Sequence, residues 1–391
     1  MQTLATDTPL NDWIPNANRV GVYLHLPFCV QRCGYCSFNT APYEPGAMDR
    51  FLGALCAEVD LVAGMPWAAG RILRTIFFGG GTPSLASEDE MAAVLERLRG
   101  RFALAPGAEI TVECNPESVS RRRLEGYRRA GVNRISLGVQ SLDDRILPRL
   151  NRLHSARQAH QAFEAAREAG FDNISADLIY GLPGLDGPVW ERTVRDVLGW
   201  EPDHFSAYAL TLDDGSLWHA AGVTELPDED EITGQYWALT RLAREAGYEH
   251  YEVSNYARPG RRSAHNQIYW HAEEYLALGP GAAGFLGDVR YTNVKPVERY
   301  CSLVESCAAP LATHEVLTAR QRLAERLILG LRLVDGIPTA WLDERIRLER
   351  GRLPALLAAW RGRGLLVEDG RRSRLTEEGF LLSDALFVEL L

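Results

Sequence analysis

The stretch Pro27–Phe38, "PFCVQRCGYCSF", places Cys29, Cys33 and Cys36, three of the chain's seven cysteines, within eight consecutive positions. A structural zinc site takes four protein ligands, usually as two spaced pairs, and the remaining cysteines, Cys56, Cys114, Cys301 and Cys307, are too dispersed to supply a second pair. His25 is the nearest further donor, but it falls within an apolar strand-like run, where a histidine belongs to the strand. Three thiolates on a [4Fe–4S] cluster leave one iron open to an outside ligand, whereas clusters that only carry electrons are fully ligated. The missing fourth ligand is then the feature with functional content.

Around this triplet, short apolar runs alternate with amphipathic ones. Strands are expected at 20–28, 74–80, 109–115, 134–140, 174–181 and 204–212, and helices at 47–63, 87–102, 118–130, 156–169, 188–200 and 230–247. Six β/α units imply parallel pairing through right-handed crossovers. Chemistry-bearing residues recur at the strand ends: the cysteines after the first, Gly79-Gly80-Gly81-Thr82-Pro83-Ser84 after the second, Glu113 and Asn115 in the third, Gln140 after the fourth and Asp177 in the fifth. A ring of functional loops is how a barrel builds its site, whereas an open sheet concentrates ligands at one switch point. The expected fold is therefore α/β, a partial (β/α)6 TIM-type barrel over residues 1–250. A linking segment follows at 251–310, loop-like at 251–270 with a turn at Pro259-Gly260. A smaller helical, winged-helix-like domain is expected over 311–391, its wing a hairpin at Asp369-Gly370.

Composition limits the function classes. The chain has 46% apolar and 24% charged residues, as a folded protein with a large core does, and a net charge of −10, which argues against a nucleic-acid coat built on Lys and Arg. For the winged helix, capping the barrel or meeting a client is the expectation, since no basic stripe runs along it. No run approaches the ~20 apolar residues of a membrane span, and "MQTLATDTPLNDW" has neither a basic nor an apolar leader region. An odd number of dispersed cysteines is not a disulfide framework, so the expectation is a reduced, cytoplasmic protein. The glycines at 79–81 allow backbone carbonyls to approach a ligand closely; no Lys-Ser or Lys-Thr follows them, which removes the phosphate-cradle reading.

The pattern Cys29-x3-Cys33-x2-Cys36, with an aromatic Tyr35 before the third cysteine, resembles the radical S-adenosylmethionine (SAM) superfamily. That resemblance implies that SAM's amino and carboxylate groups chelate the open iron. It narrows further: "VYLHLPFC", "FFGGGTPS", "VECNP", "ISLGVQS", "RLNRLH", "DLIYGLPG" and "HYEVSNYA", between about 20 and 257, are similar to the oxygen-independent coproporphyrinogen III oxidase-like family. Carried over residue by residue, the resemblance puts SAM against Tyr23, Gly79, Gly80, Glu113, Gln140, Arg152, Asp177 and Ala209. Tyr35 and Gly81 stand beside them through the cluster motif and the glycine run.

This family holds a porphyrinogen-decarboxylating dehydrogenase and a heme-chaperone branch. The dehydrogenase usually carries a fourth cysteine two residues after the third, where this chain has Phe38, and a long extension before the cluster, where this chain has 28 residues. "HNQIYW", His265–Trp270, matches the HNxxYW motif of the chaperone branch and implies heme binding, with His265 as an axial ligand and Tyr269 and Trp270 as flat apolar contacts. The branch commonly has histidine where this chain has Ala283, so His271 is a second candidate ligand, and Arg258, Arg261 and Arg262 could meet heme propionates or be solvated loop charge. The resemblance thus implies a protein that holds heme and passes it to respiratory clients, through transient membrane association, with decarboxylation of coproporphyrinogen III as the alternative.

Overall fold

The computed structural model describes residues 10, 13, 15–349 and 351–390; most of residues 1–13, read above as lacking leader features, lies outside them. The strands are β1 (Arg19–Leu26), β2 (Phe28–Cys29), β3 (Ala41–Pro42), β4 (Ile72–Gly80), β5 (Ala103–Cys114), β6 (Arg134–Gln140), β7 (Ile174–Tyr180), β8 (His204–Ala209), β9 (Glu249–Glu252), β10 (Asn255–Ala257), β11 (Tyr275–Leu278), β12 (Ala283–Leu286), β13 (Val289–Asn293) and β14 (Leu311–Val316). All but β2 and β3 form one sheet, in the order β14-β13-β12-β11-β1-β4-β5-β6-β7-β8-β10-β9. From β11 to β8 every pairing is parallel. The six expected β/α strands are therefore neighbours in chain order, each followed by its expected helix. This is the parallel core of a partial (β/α)6 barrel.

Local sequence accounts for the helices. Ser87 and Glu90 close a capping box at the start of Glu88–Arg101, as Ser155 and Gln158 do for Ala156–Glu168. The first of these buries Met91, Val94, Leu95 and Leu98, one stripe at helical spacing. β7 is buried along nearly its whole length, as a central parallel strand covered on both faces must be. Its interruption is Asp177, which faces the barrel interior.

After residue 248 the structure departs from expectation. The stretch 251–270, read as loop, carries β10 and a helix, Ala264–Trp270, and the segment expected only to link adds four strands to the sheet. The pieces are short: β11 is the four residues "YLAL", yet it pairs in parallel with β1 at the far edge of the barrel. Such a strand has no periodicity to read. The turn at Pro259-Gly260 is present, with Gly260 at φ +78°. Beyond 317 a second core gathers around Leu327, Leu357 and Trp360. Its wing pairs Leu366–Glu368 with Arg372–Leu375 across the Asp369-Gly370 hairpin. Val253 N donates to Arg332 O at 3.1 Å and Val334 N to Tyr251 O at 2.9 Å, joining this unit to the barrel edge. Among the described residues, no helix is long and apolar enough to cross a membrane.

One buried carboxyl ties the β11–β12 turn to the first helix. Glu58, on Ala47–Ala63 and 2% exposed, accepts from Gly279 N (2.8 Å), Asn293 Nδ2 (2.7 Å) and Tyr300 Oη (2.6 Å). Burial nevertheless pushes it from an ordinary 4.5 up to about 7. Between those values the folded chain keeps a proton that the unfolded chain has lost, so this group's contribution to stability declines as pH rises through the window, by about 3 kcal/mol in total. In urea unfolding, Glu58→Gln is expected to flatten the pH 5 to 7 slope by about 2 kcal/mol of that total relative to the parent; an unchanged slope would place the titrating group elsewhere.

Candidate active site

The cysteine loop is held by main-chain and side-chain bonds from two other loops. Gly34 N donates to Leu150 O (3.3 Å), Asn151 Nδ2 to Arg32 O (3.3 Å), Trp218 N to Gly34 O (2.9 Å) and Arg32 Nη2 to Gly215 O (2.7 Å). Gly34 lies so close under the Trp218 ring that a Cβ there would come within 2.1 Å of its Nε1. Asn151 sits in the left-handed region at φ +60°, which turns the chain so that Arg152 follows into the cavity.

The loop opens onto a cavity of about 730 Å³ that runs into the barrel. Cys29, Cys33 and Cys36, all unpaired and half-buried, line it, as do Tyr23, Tyr35, Gly80, Gly81, Glu113, Gln140, Arg152, Asp177 and Ala209. Nearly the whole expected set thus converges on one space. Gly79 does not: it is buried behind the wall, where a Cβ would crowd Tyr23, Phe77 and Glu113. Gly80 and Gly81 would likewise clash with His25 and the Pro27 backbone, so the glycine run lets β4 close against the end of β1. Gln140 reaches the cavity at φ +64°, an uncommon conformation of the kind that collects at functional sites.

Donors surround the thiols. Thr82 Oγ1 donates to Cys29 Sγ (3.6 Å) and Arg152 Nη1 to Cys33 Sγ (3.7 Å), while Arg152 Nη2 is fixed by Asn115 Oδ1 (2.9 Å) and Gly138 O (2.6 Å). Arg152 Nε is buried without a partner. Burial pushes the Cys29 thiol up to about 11, so its deprotonation is coupled to metal binding. No three His, Cys, Asp or Glu groups among the described residues converge tightly enough for a single metal ion. Three thiols around a cubane need not converge, because each binds a different iron. Unpaired thiols facing a cavity, with donors aimed at their sulfurs, fit such a cluster. His25 is no fourth ligand, since its ring nitrogens bond Tyr23 Oη (2.9 Å) and Asn39 O (2.8 Å).

Deeper in, Asp177 accepts from Ser136 Oγ (2.8 Å), Ser175 Oγ (3.0 Å) and Ser206 Oγ (2.9 Å), and Glu113 from Gly80 N (3.2 Å). Burial, then the neighbouring Asp177 charge, pushes Glu113 up to about 8; burial also raises Asp177. A cationic ligand would lower both. Asn115, expected at its strand end, lines the same cavity, as do Arg134, Ser136, Tyr208 and Asn266, which were not foreseen. Arg134 had a signal: an arginine opening the apolar run "RISLGVQ".

The HNxxYW helix divides its residues. Asn266 and Tyr269 line the cavity, while His265 and Trp270 do not. His265 is 1% exposed, stacked on Phe77, and bonded at both nitrogens, Nδ1 with Thr75 Oγ1 (2.7 Å) and Nε2 with Tyr269 Oη (2.8 Å). The expectation of an imidazole free to ligate is corrected: here the ring steadies Tyr269. Burial holds it neutral, its pKa lowered to about 3. Trp270 turns instead toward Arg332 of the C-terminal unit, 5.5 Å from its ring. His271 is exposed and Ala283 lines the cavity. Arg262 pairs with Glu249 and Asp335, and Arg258 and Arg261 lie near Glu201, Asp172 and Asp203, as solvated loop charge does.

Cys33→Ser is expected to abolish the visible thiolate-to-iron absorbance of anaerobically reconstituted protein; retained absorbance and iron would remove Cys33 from the ligand set. His265→Ala is expected to cost about 2–4 kcal/mol in urea unfolding, from two lost buried hydrogen bonds and a stacked ring, with that absorbance intact.

The family model described as the radical SAM superfamily matches residues 23–197, and the HemN C-terminal domain matches 317–382. The chain is 40% identical to the heme chaperone HemW of Mycobacterium tuberculosis (strain ATCC 25618 / H37Rv), over 95% of this chain and 94% of that one. It is 34% identical to the heme chaperone HemW of Bacillus subtilis (strain 168), over 93% and 97%. With the mitochondrial radical S-adenosyl methionine domain-containing protein 1 of Bos taurus it shares 36% identity over 96% and 88%. The solved coproporphyrinogen III oxidase HemN of Escherichia coli, described as a radical SAM enzyme, superposes with a TM-score of 0.84 at 24% identity, covering 95% of this chain and 90% of that one, which shows a common fold. The chain belongs to the radical SAM superfamily and, within it, to the family of the heme chaperone HemW.

Proposed function

We propose that this protein is a heme chaperone that binds heme and passes it to respiratory-chain clients, with a [4Fe–4S] cluster on Cys29, Cys33 and Cys36 and SAM in the barrel cavity. The cluster supplies an open iron for a chelating ligand and a one-electron couple. Around it the chain's own residues bind and orient. Arg152, fixed by Asn115 and Gly138, presents a spare Nε–H to an anionic group. Glu113 and Asp177 face the same space, suited to ribose hydroxyls or a cationic centre.

The observation that carries the chaperone reading is the apolar rim on the cysteine loop. Val30 and Phe38 are 62% and 61% exposed, and Phe38, lining the cavity, stands where the dehydrogenase usually has a further cysteine. Exposed apolar side chains beside a functional cavity mark a surface that is covered in use, and a porphyrin edge is a planar apolar partner of that kind. The near-complete match to curated heme chaperones supports the same reading. Tyr269 remains a candidate contact inside the cavity, whereas His265 in this arrangement is not a ligand.

Anaerobically reconstituted protein should bind heme in a spectroscopic titration and, with SAM and reductant, should form no protoporphyrinogen from coproporphyrinogen III. Robust conversion, or absence of heme binding, would overturn the proposal.

A further inference from the structure

The inner end of the cavity carries a charge that the cluster and the expected SAM contacts do not use. Arg134 opens β6, six residues and so about 20 Å along the strand from Gln140 at the rim. Its side chain is 2% exposed, lines the cavity and makes no hydrogen bond or ion pair among the described residues; its Nε is enclosed without a partner. A buried guanidinium left alone costs several kcal/mol relative to one that is paired. Proteins keep such a group where a ligand completes it.

The neighbours sharpen the chemistry. Asn266, whose side-chain amide makes no hydrogen bond among the described residues, lines the same space. Tyr269 stands beside it, tethered through His265. The carboxyls nearby, Glu113 and Asp177, are both held toward their neutral forms by burial, and the buried imidazoles of His204 and His265 are held neutral too. Arg134 acts on both carboxyls through space, yet among the described residues no acid closes an ion pair or a hydrogen bond on its guanidinium. Its fork of N–H donors matches a carboxylate held by two parallel bonds.

We propose that Arg134, with Asn266 lining the same space, is an anion subsite that takes a carboxylate at the inner end of the cavity. The carboxylate has two chemical sources, a propionate arm of the tetrapyrrole or a separate small carboxylic acid. The first source rests on the heme reading above; the subsite does not.

The test uses the full chain, cluster-loaded and saturated with SAM so that SAM's own carboxylate is constant, in two arms. In the first, sodium propionate at tenfold over its Kd should raise the melting temperature of the parent by about 2 °C and leave Arg134→Met unmoved. Met fills similar volume without charge, so without propionate this variant should melt no lower than the parent. Equal propionate shifts in both proteins, or none in either, would overturn the subsite. So would a variant that melts lower than the parent and responds to propionate as the parent does, the mark of a structural arginine. If Arg134→Met does not fold, Arg134→Lys decides: the fork is lost and the charge kept, so the propionate shift should shrink, and an unreduced shift would overturn the proposal.

In the second arm, heme is compared with its dimethyl ester. Weakening by about tenfold or more in the parent, absent in Arg134→Met, assigns the carboxylate to the tetrapyrrole. Equal binding of heme and ester, with the propionate response intact, assigns it to a separate acid. Absence of any heme binding with that response intact sinks the chaperone reading and leaves the subsite standing.

Discussion

The site depends on one constraint, the pinning of the cysteine loop. Three thiols within eight residues mean nothing chemically unless the loop holds its shape before metal arrives, and this loop has no regular structure of its own beyond a two-residue pairing of β2 with β3. Its shape comes from elsewhere in the chain. Leu150 and Asn151 bond it from one side, Gly215 and Trp218 from the other, and Thr82 and Arg152 donate to two of the sulfurs. These groups follow three strands of the parallel core: Thr82 follows β4, Leu150 to Arg152 follow β6, and Gly215 and Trp218 follow β8. The barrel is thus the instrument that brings three distant loops to one short peptide.

Within the barrel, polarity is distributed with a purpose that burial makes visible. A carboxylate with three hydroxyl donors, Asp177, costs less to bury than a bare one, yet burial still holds it toward the neutral form. Glu113, pushed up to about 8 by burial, has a single main-chain donor and a like-charged neighbour. Such an interior prefers a cationic guest, and its charges settle when one enters. Arg152 near the cluster and Arg134 at the inner end set positive charge at either end of that pair of carboxyls.

How much of this the sequence shows follows from length and repetition. Six strands, each with its own amphipathic helix, repeat one period over more than two hundred residues, so the parallel core and its loop-borne residues are legible. The cysteine triplet is legible because its spacing has few other uses. What is not legible is short or depends on tertiary contact. β11 is four residues that earn their place only by pairing with β1. The helix Ala264–Trp270 looks like loop because its seven residues follow a Pro-Gly turn and owe their start to Ser263 and to the Glu109 carboxylate, which accepts from Ala264 N and His265 N across 155 residues of sequence. Whether His265 offers a nitrogen or spends both is set by Thr75 and Tyr269, and one of those is 190 residues away.

That same helix has a mechanical consequence. About two turns long, it shows Asn266 and Tyr269 to the barrel interior and Trp270 to the Arg332 guanidinium, which also lies 4.9 Å from the ring of Phe387 near the chain's end. The winged unit and the chamber therefore meet on one short bearing, each with a side chain of the same helix turned toward it.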